Sequence, residues 1–218
     1  MIKAVIFDLD GVICSTDQYH YQAWKQTADY IGVYFDEVVN ERLRGVSRMD
    51  SLEIILEKSD KSYSLEEKEK IAEYKNRKYI ELLHNMSPDD LEAEVSHTLS
   101  ELRSRGYKLA IGSSSKNAKR ILKQIGLENY FDAVSDGTNI KKSKPNPEVF
   151  LNAAQMLNEK PGDCLVVEDA YAGIEAAVKG GFISAGIGTA AAYEKSTYSL
   201  RHFSDLLSIL LSCQYILL

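Results

Sequence analysis

Ile2-Lys3-Ala4-Val5-Ile6-Phe7-Asp8-Leu9-Asp10-Gly11 joins an apolar run, broken only by Lys3, to two closely spaced carboxylates. A run with no polar alternation fits a strand covered on both faces, as in a parallel sheet. Ligands of open parallel sheets bind beyond the carboxyl ends of the strands, so Asp8 and Asp10 fall on the productive edge. They point the same way if strand geometry persists, and Gly11 permits a tight turn after them. Two close carboxylates are costly unless a cation lies between them or one holds a proton. The pair therefore suits metal binding, nucleophilic attack or acid–base work, although a capped turn has the same composition.

Further short apolar runs follow at residues 108–111, 133–134, 164–167 and 182–187, with helical patterns over 91–104, 116–125, 147–157 and 172–179. Strand and helix alternating through short links predict a doubly wound α/β domain, a Rossmann-like and mostly parallel sheet. Between the first two strands, residues 15–87 carry helical signals over 17–30, 36–43, 49–58 and 65–83. The last is the clearest: Ser64 and Glu67 form a possible capping box ahead of Ile71, Tyr74, Lys75, Lys78 and Leu82. This interval is too long for an ordinary crossover. It is expected to be an inserted helical cap (15–87) in a core made of 1–14 and 88–218.

Three more strand ends carry chemistry. Gly112-Ser113-Ser114-Ser115-Lys116-Asn117 offers hydroxyls and free amides at a helix start, an anion site that also reads as an ordinary cap. There is no GxxxxGK or GxGxxG phosphate loop. Pro145 and Pro147 stiffen the chain around Lys144, making it a candidate fixed counter-charge rather than a solvated lysine. Glu168-Asp169 ends the run Cys164-Leu165-Val166-Val167, with Gly173 in the next turn or helix. Acids, hydroxyls and a lysine at four strand ends can converge on one edge, and that combination favours a site over four unrelated turns.

The whole chain sets bounds on what that site serves. It has 218 residues, 44% hydrophobic and 27% charged, with a formal net charge of −6 that disfavours a general nucleic-acid binder. Cys14, Cys164 and Cys213 have no metal-ligand spacing and suit a reduced, intracellular setting. The start reads as a strand rather than a signal peptide, and the apolar run 206–211 is too short to span a membrane. A cytoplasmic monomer with no membrane or nucleic-acid partner is expected.

In order and strand context, Asp8-Leu9-Asp10-Gly11, Ser113, Lys144 and Glu168-Asp169 resemble the four motifs of the haloacid dehalogenase-like superfamily, whose inserted cap has four helices. Within it the chain is similar to the β-phosphoglucomutase group. The matching places are Gly11-Val12-Ile13, Thr16, His20, Trp24, Leu43-Arg44-Gly45-Val46-Ser47-Arg48, Asp50-Ser51, Lys75-Asn76, residues 113–117 and Ser143-Lys144-Pro145. Glu92-Ala93-Glu94 departs from the usual Pro-Gly lead-in, and Ala170 replaces a usual hydroxyl.

The resemblance implies that Asp8 accepts and donates phosphate, while Asp10 moves a proton to or from the sugar oxygen. It implies Mg²⁺ on Asp8, the backbone carbonyl of Asp10, Glu168 and Asp169, and phosphoryl-oxygen contacts from Ser113 and Lys144. Arg48, Lys116 and Asn117 would hold the phosphate at the far end of the sugar. His20 and Lys75 would help position Asp10. The implied substrate-binding set also includes Thr16, Trp24, Gly45, Val46, Ser47, Ser51, Asn76, Ser114 and Ser115. On residue type alone, Trp24 reads as cap core and Thr16 as part of the hinge region. The implied reaction interconverts β-D-glucose 1-phosphate and D-glucose 6-phosphate, with β-D-glucose 1,6-bisphosphate as intermediate and phosphoryl donor. The alternative is a sugar-phosphate phosphatase, in which water attacks the same aspartyl phosphate.

Overall fold

A computed structural model describes residues 1–43 and 46–215 and divides the chain into two compact units. The first comprises Met1–Ser15 and Ser87–Leu218, the second Thr16–Met86.

Among the described residues the first unit is built on six strands: β1 (Ala4–Phe7), β2 (Lys108–Gly112), β3 (Ala133–Ser135), β4 (Cys164–Glu168), β5 (Ile183–Gly186) and β6 (Tyr198–Ser199). Every neighbouring pair is parallel, in the order β3-β2-β1-β4-β5-β6. This is the Rossmann order, with β1 central and the chain reversing direction across the sheet beside it. Phe7 is in register with Ile111 of β2 and Val167 of β4. Asp8, Gly112 and Glu168 therefore emerge side by side at one edge. Register alone carries three of the four motifs together.

Alternation along β1 sends Ala4 and Ile6 to one face and Val5 and Phe7 to the other. Ile6 joins a buried cluster with Val149, Phe150 and Ala153 of α7 (Glu148–Met156) and Ala176 and Ala177 of α8 (Tyr171–Lys179). A β-carbon on Gly112 would lie 2.6 Å from the Phe150 ring, so glycine is what lets α7 sit this close to β2. On the opposite face Phe7 stacks on Phe203 at 5.6 Å, where α5 (Ala93–Ser104) packs with α9 (Asp205–Tyr215). The departure at 92–94 has a local use. Glu94 accepts hydrogen bonds from the amide (2.9 Å) and hydroxyl (2.6 Å) of Ser204, tying the start of α5 to the chain entering α9.

The second unit consists of α1 (Asp17–Ile31), α2 (Glu37–Glu41), α3 (Arg48–Leu56) and α4 (Leu65–Leu83) around Trp24, Ala28, Phe35, Leu52, Ile55 and Ile71. The Ser64–Glu67 capping box forms in both directions, with Glu67 Oε2 accepting from the Ser64 amide at 2.7 Å and Ser64 Oγ from the Glu67 amide at 3.3 Å. Among the described residues no helix is long and apolar enough to cross a membrane.

The observed elements depart from the sequence expectations in a few places. β6 and α9 were not anticipated. α5 begins at Ala93 rather than 91 because a 3₁₀ turn at Pro88–Asp90, capped by Ser87, occupies the approach. α6 runs Ala118–Gln124 because the hydroxyl-rich loop extends through Asn117.

Candidate active site

β1 stops at Phe7, and a bend at Leu9 interrupts the regular alternation that would align Asp8 with Asp10. Instead Gly11, at φ +80°, donates its amide to Cys14 O (2.8 Å), and Asp10 forms an isolated bridge with Cys14. The Asp8 amide remains tied to the sheet through Val167 O at 2.9 Å. Its carboxylate is buried and accepts a hydrogen bond from the Lys144 ammonium, which also donates to Glu168 Oε1 at 2.6 Å. Glu168 Oε2 accepts from the Ala170 amide at 2.9 Å. The residue that replaces the usual hydroxyl thus contributes through its backbone, which almost any side chain permits.

Two glycines shape this edge. A β-carbon on Gly11 would fall 2.2 Å from Asp169 Oδ2, so the Asp169 carboxylate packs against the turn that follows Asp10. A β-carbon on Gly173 would fall 1.8 Å from Glu168 Oε1. Gly173 leaves the space that the Glu168 carboxylate fills.

Burial pushes the Asp8 carboxyl well above its usual range; Lys144 pulls against it, and Glu168, Asp169 and Asp10 push the same way as burial. Burial also opposes the Lys144 charge, but contact with Asp8 and Glu168 outweighs it and raises the lysine, so the ammonium stays charged. Four carboxylates thus share an edge with one buried ammonium. Among the described residues no three His, Cys, Asp or Glu side chains already converge as an ion cage; Lys144 lies between two of the acids. Hard, all-oxygen donors with surplus negative charge fit Mg²⁺. On that ground Asp8, Asp10, Glu168 and Asp169 can serve it.

Ser113, directly after the end of β2, is buried, its amide bonded to Ser135 O at 3.1 Å. Its Oγ accepts from the Ser115 amide (3.1 Å), and Ser115 Oγ accepts from the Asn117 amide (3.2 Å). The Ser114 hydroxyl is buried without a partner among the described residues, as a loop built to meet an anion would leave it. Lys116 is exposed and Asn117 buried. Glu148, in the first turn of α7, braces the Lys144 loop by accepting the Lys141 and Lys142 amides at 3.0 and 2.9 Å. The signal for Glu148 in the sequence is its place as an acid in a first helical turn.

In the helical unit the implied residues form two groups. Lys75 is buried, with Nζ 2.8 Å from His20 Nδ1, and it lies over the rings of Tyr79 (4.4 Å) and Trp24 (5.1 Å). Tyr79 donates to Thr16 Oγ1 at 3.0 Å. Burial, then the Lys75 and Arg48 charges, holds His20 well below the usual imidazole range, so it is neutral. Arg48 donates to Asn76 Oδ1 at 2.8 Å. Ser47 caps α3, accepting from the Asp50 amide at 3.2 Å, Ser51 is buried, and the Val46 amide donates to Leu43 O at 3.2 Å. Gly45 and Arg44 lie outside the described residues. Tyr79, the hub of the first group, went unnoticed, although Ile71, Lys75, Tyr79 and Leu83 mark one face of α4 at spacing four.

Comparison with known proteins agrees with this architecture. Residues 2–181 match the haloacid dehalogenase-like hydrolase family. The chain is 41% identical over 207 residues to a β-phosphoglucomutase of Bacillus subtilis, covering 94% of this chain and 92% of that one. It is 34% identical to a phosphorylated carbohydrates phosphatase of Thermotoga maritima, over 83% of this chain and 82% of that one. Its structure superposes on a crystallographic β-phosphoglucomutase from Clostridium difficile with a TM-score of 0.91 at 38% identity, covering all of both chains. With the motif order, the sheet and the clustered acids in agreement, the chain belongs to the haloacid dehalogenase-like hydrolases, an enzyme family within which it is closely related to the β-phosphoglucomutases.

Proposed function

We propose that this enzyme interconverts β-D-glucose 1-phosphate and D-glucose 6-phosphate through an Asp8 phosphate and β-D-glucose 1,6-bisphosphate. The observation that carries the chemistry is the buried Lys144 ammonium bridging Asp8 and Glu168 at the end of β1. An ammonium fixed beside a nucleophilic carboxylate is already placed to meet the incoming phosphoryl oxygens, with little reorganisation at the moment of reaction.

In the first half-reaction Asp8 Oδ attacks phosphorus and the phosphorus–sugar oxygen bond breaks. Asp10 gives its proton to that oxygen. In the second, a sugar hydroxyl attacks the Asp8 phosphate while Asp10 takes the hydroxyl proton, and the bond from Asp8 to phosphorus breaks. Lys144 and the Ser113 loop would hold the transferring oxygens. Arg48 would grip the phosphate not being transferred, since a guanidinium offers a fixed fork of donors. Mg²⁺ held by the Asp8, Glu168 and Asp169 carboxylates and the backbone carbonyl of Asp10 would neutralise charge on the transferring group.

The mutase reading is supported by relatives of that name at 41% and 38% identity over nearly the whole chain. The 34% identical phosphatase supports a second reading, in which water accepts the phosphate from Asp8. The shared first step is tested by intact mass after exposure to a phosphoryl donor. Wild type should gain an acid-labile phosphate and Asp8→Asn should gain none, because its amide is no comparable nucleophile. Phosphate retained on the Asn variant would remove Asp8 from the role.

A further inference from the structure

We propose that Glu175 is a positioning residue that holds Glu168 and Asp169 in place for Mg²⁺ through a clamp on the loop after β5; this rests on the metal role proposed above for those acids. Glu175 stands on α8, six residues beyond Asp169. Its carboxylate accepts three hydrogen bonds: from the Tyr193 hydroxyl at 2.9 Å, Lys195 Nζ at 3.2 Å and Lys179 Nζ at 3.3 Å. The Tyr193 ring also stacks at 4.5 Å on Tyr171, the first residue of α8. Two of the three donors, and the stacked ring, belong to the segment that follows β5.

That segment is in turn bonded to the backbone of the acid pair. The Ile187 amide donates to Glu168 O at 2.9 Å and the Ala190 amide to Asp169 O at 3.0 Å. The Tyr193 amide closes back on Ala190 O at 3.1 Å. The approach is tight at Gly186, where a β-carbon would fall 2.1 Å from Ala190 O. A closed circuit results, running from Asp169 along α8 to Glu175, across to Tyr193, back to Ala190 and so to Asp169.

Single ion pairs at an exposed site contribute little, whereas a network of several donors on one carboxylate is the arrangement in which they count. Glu175 keeps 30% of its side chain accessible and touches none of the reacting groups. Its effect would be exerted through the backbone of the acids, before an ion arrives. Outer partners of metal ligands commonly alter metal affinity or activity; one that acts only by placing the ligands before the ion arrives should alter affinity.

The test compares Glu175→Gln and Tyr193→Phe with wild type by calorimetric titration of the metal-free full chain with Mg²⁺. Phosphorylation from acetyl phosphate at saturating Mg²⁺ is measured in parallel. Both variants should bind Mg²⁺ roughly tenfold more weakly, the low end of what outer partners of metal ligands cost. Their rate of phosphorylation should return to the wild-type value once Mg²⁺ saturates. Glu94→Ala, which breaks the distant tie to Ser204, serves as a control for general loosening and should lower the melting temperature without changing Mg²⁺ affinity. Wild-type affinity in Tyr193→Phe overturns the clamp even if Glu175→Gln fails to fold. Equal weakening by Glu94→Ala also overturns it, because the effect is then not local. Absence of Mg²⁺ binding by wild type would instead overturn the metal role on which the clamp rests.

Discussion

Replacing Gly173 by alanine should displace the Glu168 carboxylate and break its two hydrogen bonds. The added methyl carbon would lie 1.8 Å from Glu168 Oε1 and 1.9 Å from its Cδ. Restoring ordinary contact requires a withdrawal of roughly 1.5 Å or more. Such a shift is easy for a solvated glutamate, but Glu168 is 1% exposed and held at 2.6 Å by Lys144 and at 2.9 Å by the Ala170 amide. Losing two bonds to an ionised group costs about 1.5–3 kcal/mol each. Alanine returns about 1 kcal/mol as the better helix former. Gly173→Ala is therefore expected to lose about 2 kcal/mol or more of unfolding free energy, measured by urea denaturation. Lys144 loses one of its two anchors, and a misplacement near 1 Å can cost about 10²-fold in rate. Phosphorylation of Asp8 at saturating Mg²⁺ should fall on that order. A variant more stable by about 1 kcal/mol with normal phosphorylation would refute the reasoning, because it would behave as an unconstrained helix position.

Arg48→Ala should reduce kcat/KM for the glucose bisphosphate by about tenfold to a hundredfold, the value of a charge-assisted contact of about 1.5–3 kcal/mol. Phosphorylation by acetyl phosphate, which has no second phosphate, should be little changed; an equal loss on both would indicate general damage. His20 gives a prediction in pH. Its folded pKa is held below the usual value, so the unfolded chain takes up a proton first as pH falls through about 6.5. The unfolded state then binds more protons, and stability declines with falling pH. Between pH 7.5 and 5.5 this contribution is at most about 1.4 kcal/mol. His20→Asn should lessen the decline in denaturant-measured stability by that amount, and an unchanged slope would mean that the imidazole protonates in the folded state.

Much of the α/β core was legible because its central strands are buried on both faces and appear as unbroken apolar runs. The helices of the insertion were legible through caps and spacing, as at Ser64 and Glu67. β6 was not, since two residues cannot show a period. Nor was α9, whose short apolar run 206–211 lacks a helical period of its own. Three of the four motifs could be assembled at one edge from strand ends and parallel register; Lys144, in the loop between β3 and α7, could not. Contacts between side chains from distant segments were not readable. That Lys144 bridges Asp8 and Glu168, that Tyr79 unites Thr16, His20 and Lys75, and that Glu175 gathers Tyr193 and Lys195 all depend on tertiary proximity with no local pattern. Glu94 shows the converse, where a departure from the family pattern becomes intelligible only through Ser204.

Product analysis tests the central claim most directly. The enzyme is given β-D-glucose 1-phosphate, Mg²⁺ and a trace of glucose 1,6-bisphosphate; glucose 6-phosphate and free phosphate are followed in the same reaction. A mutase should yield glucose 6-phosphate nearly equal to the substrate consumed, with little phosphate released. Stoichiometric phosphate and no glucose 6-phosphate would contradict the mutase and assign the Asp8 chemistry to a phosphatase.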